Sequence, residues 1–407
     1  MTDSPLSLRR RQLLAGSAGA LAGTGLIGLA GGAAAQAAAP AAAAAPHALP
    51  AYVAWKDANA VIVHNPNELE TKRSAFGTSA ITSTDRLYVR NNVTPPDPSI
   101  LDDRGAWQVA IEGVRNPRTM TVAELKTVGL ETMATVLQCS GNGRAFFPHK
   151  PSGAKWTVGA AGCVVWSGVP VRYVAEALGG VAPGTHFLTG TGGETFPAGI
   201  DPQTVMVERS LPIEVLNDAL LAWEMNGEPI SLAHGGPLRL VVPGYQGVNN
   251  VKYVKRVAFT AVESSAAIQK MRYRLNGIGT QPGPTDPSVL GMTVKSFVTS
   301  PSGAEPVKAG VVYVSGVAFG GGSPIKRVEV SSDGGKTWID APFVGPDLGR
   351  FAWRQFALPL RMAAGNYVVT SRATDAAGHV QPELRSENAG GYANTSWADH
   401  AVKVVVG

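Results

Sequence analysis

Residues 134–148 read ATVLQCSGNGRAFFP, and the role of the cysteine in this stretch decides how the rest of the chain is interpreted. An apolar run typical of a β-strand ends at Cys139, and a loop of Gly, Asn and Arg follows. Gly141 and Gly143 allow the backbone to approach another group closely, and Arg144 supplies a fixed positive charge. Cationic surroundings favour a thiolate, which is the form that attacks electrophiles and binds metals. Cys139 is therefore predicted to be a nucleophile, a metal ligand or half of a disulfide.

The cysteine and histidine content leaves these alternatives open. The chain has 407 residues and two cysteines, Cys139 and Cys163. Two cysteines in an exported protein usually form one disulfide, so residue chemistry alone favours a bond between them. A cysteine hydrolase needs a histidine in a recognisable pairing with the thiol, and His149, His186 and His234 show none. The spacing of these side chains also fits no zinc site.

Composition predicts a globular protein with more than one domain. The residues are 44% hydrophobic and 16% charged, and 48 Gly with 29 Pro indicate many turns. The formal net charge is +5. Because Lys and Arg are scattered rather than clustered, the charge pattern argues against nucleic-acid binding.

The N-terminus has the pattern of an export signal. Residues 8–32 contain an arginine cluster followed by an apolar stretch, and Ala-rich sequence with A-x-A sites continues to about residue 45. Arg10 and Arg11, followed by QLL, resemble a twin-arginine signal. The many glycines and the A-x-A sites weigh against a membrane anchor. No later segment is apolar for long enough to span a bilayer, so we expect a periplasmic protein without a membrane span in its mature chain.

Downstream of the leader, the pattern predicts an α+β part followed by an all-β part. WQVAIEG at 107–113 predicts a strand, TVAELKTV at 121–128 a short helix with a Thr cap, and VRYVAEALGG at 171–180 a helix that stops at glycine. Residues 276–291, rich in Gly and Pro, indicate a linker. The short alternating strands beyond it predict an antiparallel immunoglobulin-like sandwich. We therefore expect a leader over 1–45, an α+β domain over 46–280 and a β-sandwich over 281–407.

Two other features are predicted to be structural. SSDGGKTW at 331–338 fits a hairpin turn known from sialidase propellers, but it occurs once, and a propeller would repeat it. Cys163 lies in the apolar run AAGCVVW and is most simply a small buried residue.

The run LQCSGNGR at 137–144 resembles the cysteine loop of the sulfite oxidase family of molybdenum enzymes. Three more segments resemble the family in the same order: LYVRNN from 87, KWTVGAAGCVVWSGVPV from 155, and the stretch from LAWEMNGEPI to YVKRV at 221–257. The resemblance covers nearly all of the chain after the leader. It implies a sulfite-oxidase-type molybdopterin-binding domain, in which the cofactor is molybdenum with molybdopterin, followed by the family's dimerisation domain.

The resemblance implies roles for the residues around the metal and the substrate. Cys139 would bind molybdenum through its thiolate. Arg90 and Arg144 would hold the substrate anion, and Tyr273 in MRYRL would orient it or donate a hydrogen bond to the reactive oxygen. In this description Gly141 and Gly143 give the metal bond room.

A second group of residues would hold the cofactor. The resemblance assigns this role to Asn91, His234, Arg239 and Lys252. A phosphate-bearing cofactor favours Arg and Lys beside closely approaching backbone, which agrees with this assignment. On pattern alone, Lys252 and Lys255 alternate as on a strand and could both face water.

The chain departs from the family pattern at two positions. Asn92 stands where many relatives have a histidine, which puts a proton-handling role there in doubt. Gly390, in ENAGGYANTSW, aligns best with a second arginine of some relatives. The anion pocket is therefore expected to rely on Arg90 and Arg144, or to admit a different substrate.

The implied activity is oxidation of sulfite, or a related sulfur oxyanion, to sulfate. Since the sequence contains no C-x-x-C-H motif, electrons are expected to pass to a separate cytochrome c, and the chain would form a homodimer or a heterodimer with a haem subunit. Two alternatives within the oxidoreductases are a sulfane dehydrogenase of the thiosulfate-oxidising system and an exported molybdenum sulfoxide reductase, which usually lacks the sandwich. A non-catalytic alternative is an exported binding protein with a Cys139–Cys163 disulfide.

Overall fold

The first part of the chain is built mainly from β-strands joined by long loops. The structure is a computed structural model that describes residues 48–407, so the predicted export signal and Ala-rich leader lie outside the described residues. The strands of this part are, in chain order, β1 (Val61–Asn65), β2 (Glu68–Thr71), β3 (Val89–Arg90), β4 (Gln108–Glu112), β5 (Arg118–Thr121), β6 (Glu131–Gln138), β7 (Ala161–Pro170), β8 (Phe187–Thr191), β9 (Glu208–Pro212), β10 (Leu220–Met225), β11 (Glu228–Pro229), β12 (Arg239–Val241) and β13 (Arg256–Thr260).

These strands form three sheets, which bring distant parts of the chain together. The orders are β1-β2-β3, then β11-β10-β7-β6 with β12 also on β10, and β5-β4-β13-β8-β9. Within them β13 pairs with β4 in parallel, whereas the other ladders are antiparallel. The ladder between β6 and β7 ends at Gln138 opposite Ala161, so Cys139 is the first residue beyond the sheet.

The helices are short and follow the sequence signals. They are α1 (Val122–Val128), α2 (Val171–Ala177), α3 (Pro202–Val205) and α4 (Ala267–Lys270). At the start of α1, Thr121 Oγ1 accepts a hydrogen bond from the Glu124 N–H, and the Glu124 carboxylate accepts one from the Thr121 N–H. This is a capping box, so the predicted Thr cap is confirmed. The predicted helix at 171–180 is confirmed as α2, followed by Gly179 and Gly180 at positive φ.

The last part of the chain is the predicted β-sandwich. Its strands are β14 (Lys295–Ser300), β15 (Gly310–Phe319), β16 (Ile325–Ser331), β17 (Ile339–Asp340), β18 (Phe343–Val344), β19 (Arg354–Met362), β20 (Gly365–Asp375) and β21 (Val402–Val406). They form two antiparallel sheets, β14-β15-β19-β18 and β17-β16-β20-β21. A single apolar core from both sheets fills the space between them. The α+β class with a C-terminal sandwich is thus confirmed.

The sandwich packs directly on the first part of the chain. Phe76 contacts Phe297 of β14 with ring centroids 5.4 Å apart, and Trp353 Nε1 donates to the Ala80 carbonyl over 2.7 Å. Buried residues of both parts share one apolar cluster. The described residues accordingly belong to one compact unit. The limits at residues 45, 280 and 281 stay a prediction.

Two further expectations concern turns and membrane spans. SSDGGKTW joins β16 to β17, which pair in antiparallel orientation, and Asp333 Oδ1 accepts hydrogen bonds from the N–H groups of Lys336 and Thr337. It is therefore a structural hairpin turn. Within residues 48–407, no helix is long and apolar enough to cross a membrane.

Candidate active site

Cys139 is the first residue of a tight loop that follows β6. Its N–H donates to the Ala160 carbonyl over 2.8 Å, which keeps the residue against the start of β7. The loop then turns back, because the Asn142 N–H donates to the Cys139 carbonyl over 2.9 Å and Asn142 Nδ2 donates to Gln138 Oε1 over 3.1 Å. The thiol is buried, and Ser140 Oγ beside it has no hydrogen-bond partner among residues 48–407.

The two cysteines are both free thiols. In the β6–β7 ladder Cys163 lies opposite Val136, and these two belong to the apolar cluster shared with the sandwich. Cys139 belongs to a different cluster on the other side of the sheet, with Leu137. Burial raises the pKa of Cys163 to about 12, as expected for a structural thiol. The structure therefore contradicts the Cys139–Cys163 disulfide and confirms Cys163 as a buried core residue.

The glycines of the cysteine loop make room for Arg144 and for the C-terminal segment. A Cβ on Gly141 would lie 2.5 Å from the Arg144 guanidinium carbon, and one on Gly143, at φ +91°, would lie 2.9 Å from the Asn394 side chain. Gly141 thus allows Arg144 to fold back over its own loop, and Arg144 Nε donates to the Gly390 carbonyl over 3.0 Å. That the two glycines also leave room for a metal bond stays a prediction.

Arg90 and Tyr273 come from opposite ends of the first part of the chain and lie near each other in the fold. Arg90, on β3, pairs with Glu68 of β2, with Nε and Oε1 3.4 Å apart. Burial lowers the pKa of Arg90, but the nearby Tyr273, Cys139 and Glu68 outweigh it and raise the pKa above its ordinary value. Tyr273 has a left-handed backbone, φ +52°, and its hydroxyl donates to Asn92 Oδ1 over 3.2 Å. Such backbone strain in a non-glycine residue is typical of functional positions.

Lys252 and Arg239 form a cationic cluster beside His234. Lys252 Nζ donates to Asn91 Oδ1 over 2.6 Å and to the Ala233 carbonyl, and Arg239 donates to the His234 carbonyl over 2.7 Å. Burial lowers the pKa of Arg239 to about 10. Burial, together with neighbouring cations, holds the pKa values of Lys252 and His234 well below their ordinary values. Glu194 is a carboxyl group near Lys252, and a bound anion would offset the remaining positive charge of Lys252 and Arg239.

The alternative that Lys252 and Lys255 both face water from a strand is wrong for Lys252. Residues 252 and 255 precede β13 rather than lying on it. Gly235, at φ +99°, allows the backbone to pass close to Lys252, because a Cβ there would lie 2.7 Å from the lysine Cβ. Lys255 is exposed, and its ammonium lies 3.4 Å from the centroid of the Trp107 ring.

Lys56 belongs to this cluster, although no sequence motif marks it. Its ammonium lies 3.3 Å from His234 Nε2 and donates to the carbonyls of Thr84 and Leu87 over 2.9 and 2.7 Å. Burial lowers its pKa to about 7. Lys56 is 178 residues away from His234 in sequence, so only the folded chain brings the two together.

Glu194 is the second site residue that sequence reasoning missed. It follows the glycine-rich run TGTGG and lines the same cavity as Lys252. Burial raises the pKa of its carboxyl to about 7, and Oε2 has no hydrogen-bond partner within the part of the chain that the structure describes. A carboxyl group of this kind can accept or donate a hydrogen bond near neutral pH.

One cavity is lined by Cys139, the cationic cluster, His234 and Glu194. Seven of the eight site residues expected from the sequence line it, and the eighth, Arg144, lines an adjoining chamber. The cavity and the chamber share Arg90, Asn92 and Tyr273. The thiol of Cys139 and the cationic cluster therefore border one space, and the arginines expected to bind an anion stand where this space opens into the next.

Comparison with known proteins gives consistent matches. The family descriptions "Oxidoreductase molybdopterin binding domain" and "Mo-co oxidoreductase dimerisation domain" match residues 95–268 and 286–406. Sulfite oxidase of Arabidopsis thaliana is 30% identical over 362 residues, covering 82% of this chain and 90% of that protein. Mitochondrial sulfite oxidase of Homo sapiens is 29% identical, covering 80% of this chain and 62% of the human protein. The crystal structure of the sulfane dehydrogenase SoxCD from Paracoccus pantotrophus has a TM-score of 0.70 at 26% identity, covering 85% of this chain and 88% of that chain.

The residues of the cavity fit the molybdopterin cofactor that these matches indicate. Arg239 Nε, Ser140 Oγ and Glu194 Oε2 are buried polar atoms without partners among residues 48–407, as expected for groups that await a polar ligand. The cationic cluster suits the phosphate of such a cofactor, and the thiol of Cys139 suits its metal. The chain belongs to the sulfite oxidase family of molybdenum–molybdopterin oxidoreductases.

Proposed function

We propose that this chain is a molybdenum-dependent sulfite dehydrogenase that passes electrons to a separate cytochrome c. The observation that carries the proposal is the shared cavity. Its wall holds the Cys139 thiol and the cationic cluster, and it opens beside Arg90, Tyr273 and Arg144. The sulfite oxidase relatives support the coarser statement that the chain is an oxidoreductase acting on sulfur compounds.

The cofactor would be held by side chains of the cationic cluster and its neighbours. Lys252 and Arg239 would bind its phosphate, and His234 and Asn91 would fix its position by hydrogen bonds. Cys139 would be the protein ligand of the metal. When bound, the cofactor supplies transfer of an oxygen atom and takes up two electrons.

The substrate would be held at the mouth of the cavity. Sulfite and water give sulfate, two protons and two electrons, so the site must bind a dianion before and after the reaction. Arg90 and Arg144 offer guanidinium donors for its oxygens. The Tyr273 hydroxyl, which now donates to Asn92, can exchange this hydrogen bond for one to a substrate oxygen. These donors are already in place, which is the arrangement that stabilises developing negative charge.

Two further parts of the proposal concern the electron acceptor and the location. The 407 residues contain no C-x-x-C-H motif, which supports a separate haem protein as acceptor and a transient contact with it. The dimerisation domain supports a homodimer or a heterodimer with such a haem subunit. Arg10 and Arg11 support export to the periplasm by the twin-arginine route.

A second candidate is the oxidation of a sulfane sulfur. The similarity to the solved sulfane dehydrogenase favours it, as do Asn92 and Gly390, where some relatives have a histidine and an arginine. The large chamber outside the cavity would also admit a substrate larger than sulfite.

One experiment tests the proposal and separates the two candidates. Protein purified from a molybdate-fed host is analysed for molybdenum and assayed for cytochrome c reduction with sulfite and, separately, with thiosulfate. We expect molybdenum, sulfite-dependent reduction, and a loss of activity of about 100-fold or more in Cys139→Ser, with Cys163→Ala as the matched cysteine control. Absence of molybdenum from the wild type, or full activity in Cys139→Ser, would contradict the proposal. Activity with thiosulfate alone would favour the second candidate.

A further inference from the structure

The connection between β20 and β21 of the sandwich part reaches the substrate site. The segment 388–394, here called the cap segment, lies against the cysteine loop. The Ala393 N–H donates to the Ser140 carbonyl over 2.9 Å, and Asn394 Nδ2 donates to the Gly143 carbonyl over 3.0 Å. Because both bonds go to the loop that carries Cys139, the position of the cap segment is tied to the position of the active site.

Tyr392 is the residue of the cap segment that touches the anion-binding side chains. Its ring stacks on Tyr273 with centroids 5.1 Å apart and an interplanar angle of 24°. The Arg144 guanidinium carbon lies 5.2 Å from the Tyr392 ring centroid. Asn388 fixes the tyrosine backbone from both sides, with bonds of 2.9 Å to its N–H and its carbonyl. Tyr392 thus contacts two of the groups expected to bind the substrate while lining the outer chamber.

Gly390 is the residue that makes this position of the ring possible. A Cβ at position 390 would lie 2.1 Å from Cε2 and 2.5 Å from Cδ2 of Tyr392. A side chain at 390 and the ring of Tyr392 therefore exclude each other. The Gly390 carbonyl also accepts the bond from Arg144 Nε, so the backbone of this residue already holds the arginine. The absence of a side chain at Gly390, where some relatives have an arginine, is therefore what leaves space for the Tyr392 ring.

We propose that Tyr392 is a positioning residue for the substrate anion, whose ring holds the Arg144 guanidinium and the Tyr273 phenol in place. Stacking and cation–π contact restrict both side chains, so the anion need not order them. The identity of the anion rests on the proposed function. Because Tyr392 acts through its neighbours, its loss would weaken anion binding more than it slows turnover. The sandwich part would then complete the substrate site as well as supporting the fold.

The test measures binding of sulfate, as the product anion, to the purified holoenzyme by titration calorimetry. We expect Tyr392→Phe, which keeps the ring, to bind within twofold of the wild type. Tyr392→Leu and Gly390→Ala should each weaken binding about fivefold or more. The double variant, Tyr392→Leu with Gly390→Ala, should bind sulfate no more weakly than the single variant with the lower affinity, because both changes remove the same contact. In steady state KM for sulfite should rise in parallel, with kcat within twofold.

Gly322→Ala is the matched glycine control, since a Cβ there meets no atom within 4 Å. Unchanged sulfate binding in Tyr392→Leu or Gly390→Ala would overturn the inference, as would equal losses in Tyr392→Phe and Tyr392→Leu. If Tyr392→Leu fails to fold, Gly390→Ala still decides. A wild type that binds sulfate with this pattern but does not oxidise sulfite would refute the proposed function and leave the inference standing.

Discussion

Lys56 Nζ lies 3.3 Å from His234 Nε2, so a lysine from the start of the described chain contacts a residue of the cavity wall. The lysine is also held by the carbonyls of Thr84 and Leu87. These bonds give it a fixed place, and its burial makes the charged form costly until an anion binds nearby. We infer that Lys56 adds to the attraction of the site for the cofactor phosphate.

Replacement of this lysine should therefore weaken retention of the cofactor. We expect Lys56→Met to lower the pterin content of purified protein about tenfold, the scale of one hydrogen bond to a charged group. Pterin is measured by fluorescence after oxidative release, and Lys308→Met, at an exposed position of the sandwich part, is the control. Equal pterin content in Lys56→Met and the wild type would limit Lys56 to a structural role.

The two neighbouring lysines 252 and 255 offer a sharper comparison. Lys252 lies in the cavity wall and bonds to Asn91, whereas Lys255 covers the Trp107 ring. We expect Lys252→Met to lower pterin content at least tenfold and Lys255→Met to leave it within twofold. A similar loss in both variants would indicate an effect on folding rather than on the cofactor.

The state of the cysteines can be measured directly. Because the thiols lie on opposite sides of the β6–β7 ladder, we expect two free thiols per chain in denatured, cofactor-free protein without reductant. The Cys163→Ala variant should give one. A count of zero in the wild type would restore the disulfide alternative and with it the non-catalytic binding protein.

Local sequence patterns predict the features of the fold that depend on neighbouring residues, such as helix caps and the ends of helices and strands. The Thr121 cap, the end of α2 at glycines and the strand that ends at Cys139 follow from short-range signals. Family motifs also indicated seven residues that line one cavity. Those motifs carry enough local sequence to be identified without the fold.

The remaining site residues depend on long-range packing. Lys56 and Glu194 stand in segments whose sequence marks no function. The contact of Lys56 with His234 and the position of Glu194 in the cavity wall are visible only in the folded chain. The sequence comparison predicts only a missing positive charge at Gly390, whereas the structure has the ring of Tyr392 beside it. A position-by-position comparison cannot detect that Tyr392, two residues after Gly390, fills the space that a side chain at position 390 would occupy.

Glu70 connects the first sheet to the segment that leads into β7. Its buried Oε1 accepts hydrogen bonds from the N–H groups of Thr157 and Gly159 over 2.8 and 2.9 Å, and Oε2 lies 2.8 Å from His64 Nε2. Glu70→Ala leaves the buried N–H of Gly159 and the partly buried N–H of Thr157 without this partner, so we expect a free energy of unfolding lower by about 2–5 kcal/mol and a clearly lower Tm. Glu112→Ala, in a half-exposed ion pair with Arg256, should cost about 0.5 kcal/mol. Equal Tm values for the two variants would contradict this account.

The buried lysines predict how the stability of cofactor-free protein changes with pH. Burial lowers the pKa values of Lys56 and Lys295 to about 7, against an ordinary value of 10.5. Between pH 7 and 10.5 the unfolded chain therefore binds more protons than the folded one, and stability rises with pH by up to about 1.4 kcal/mol per pH unit for each lysine. Glu194 acts in the opposite direction below pH 7, where burial keeps its carboxyl protonated.

We expect the Tm of the cofactor-free protein to rise from pH 7 to pH 9.5, and Lys295→Met to reduce this slope. Lys295 is the better choice, because it donates to the Asn394 carbonyl at the end of the cap segment and lies outside the cofactor cavity. Exposed Lys308→Met should keep the wild-type slope, since its ammonium remains in water in both states. A Tm that falls over this range, or an unchanged slope in Lys295→Met, would mean that the buried lysines keep their protons in the folded protein and that nearby carbonyls and carboxylates compensate their charge.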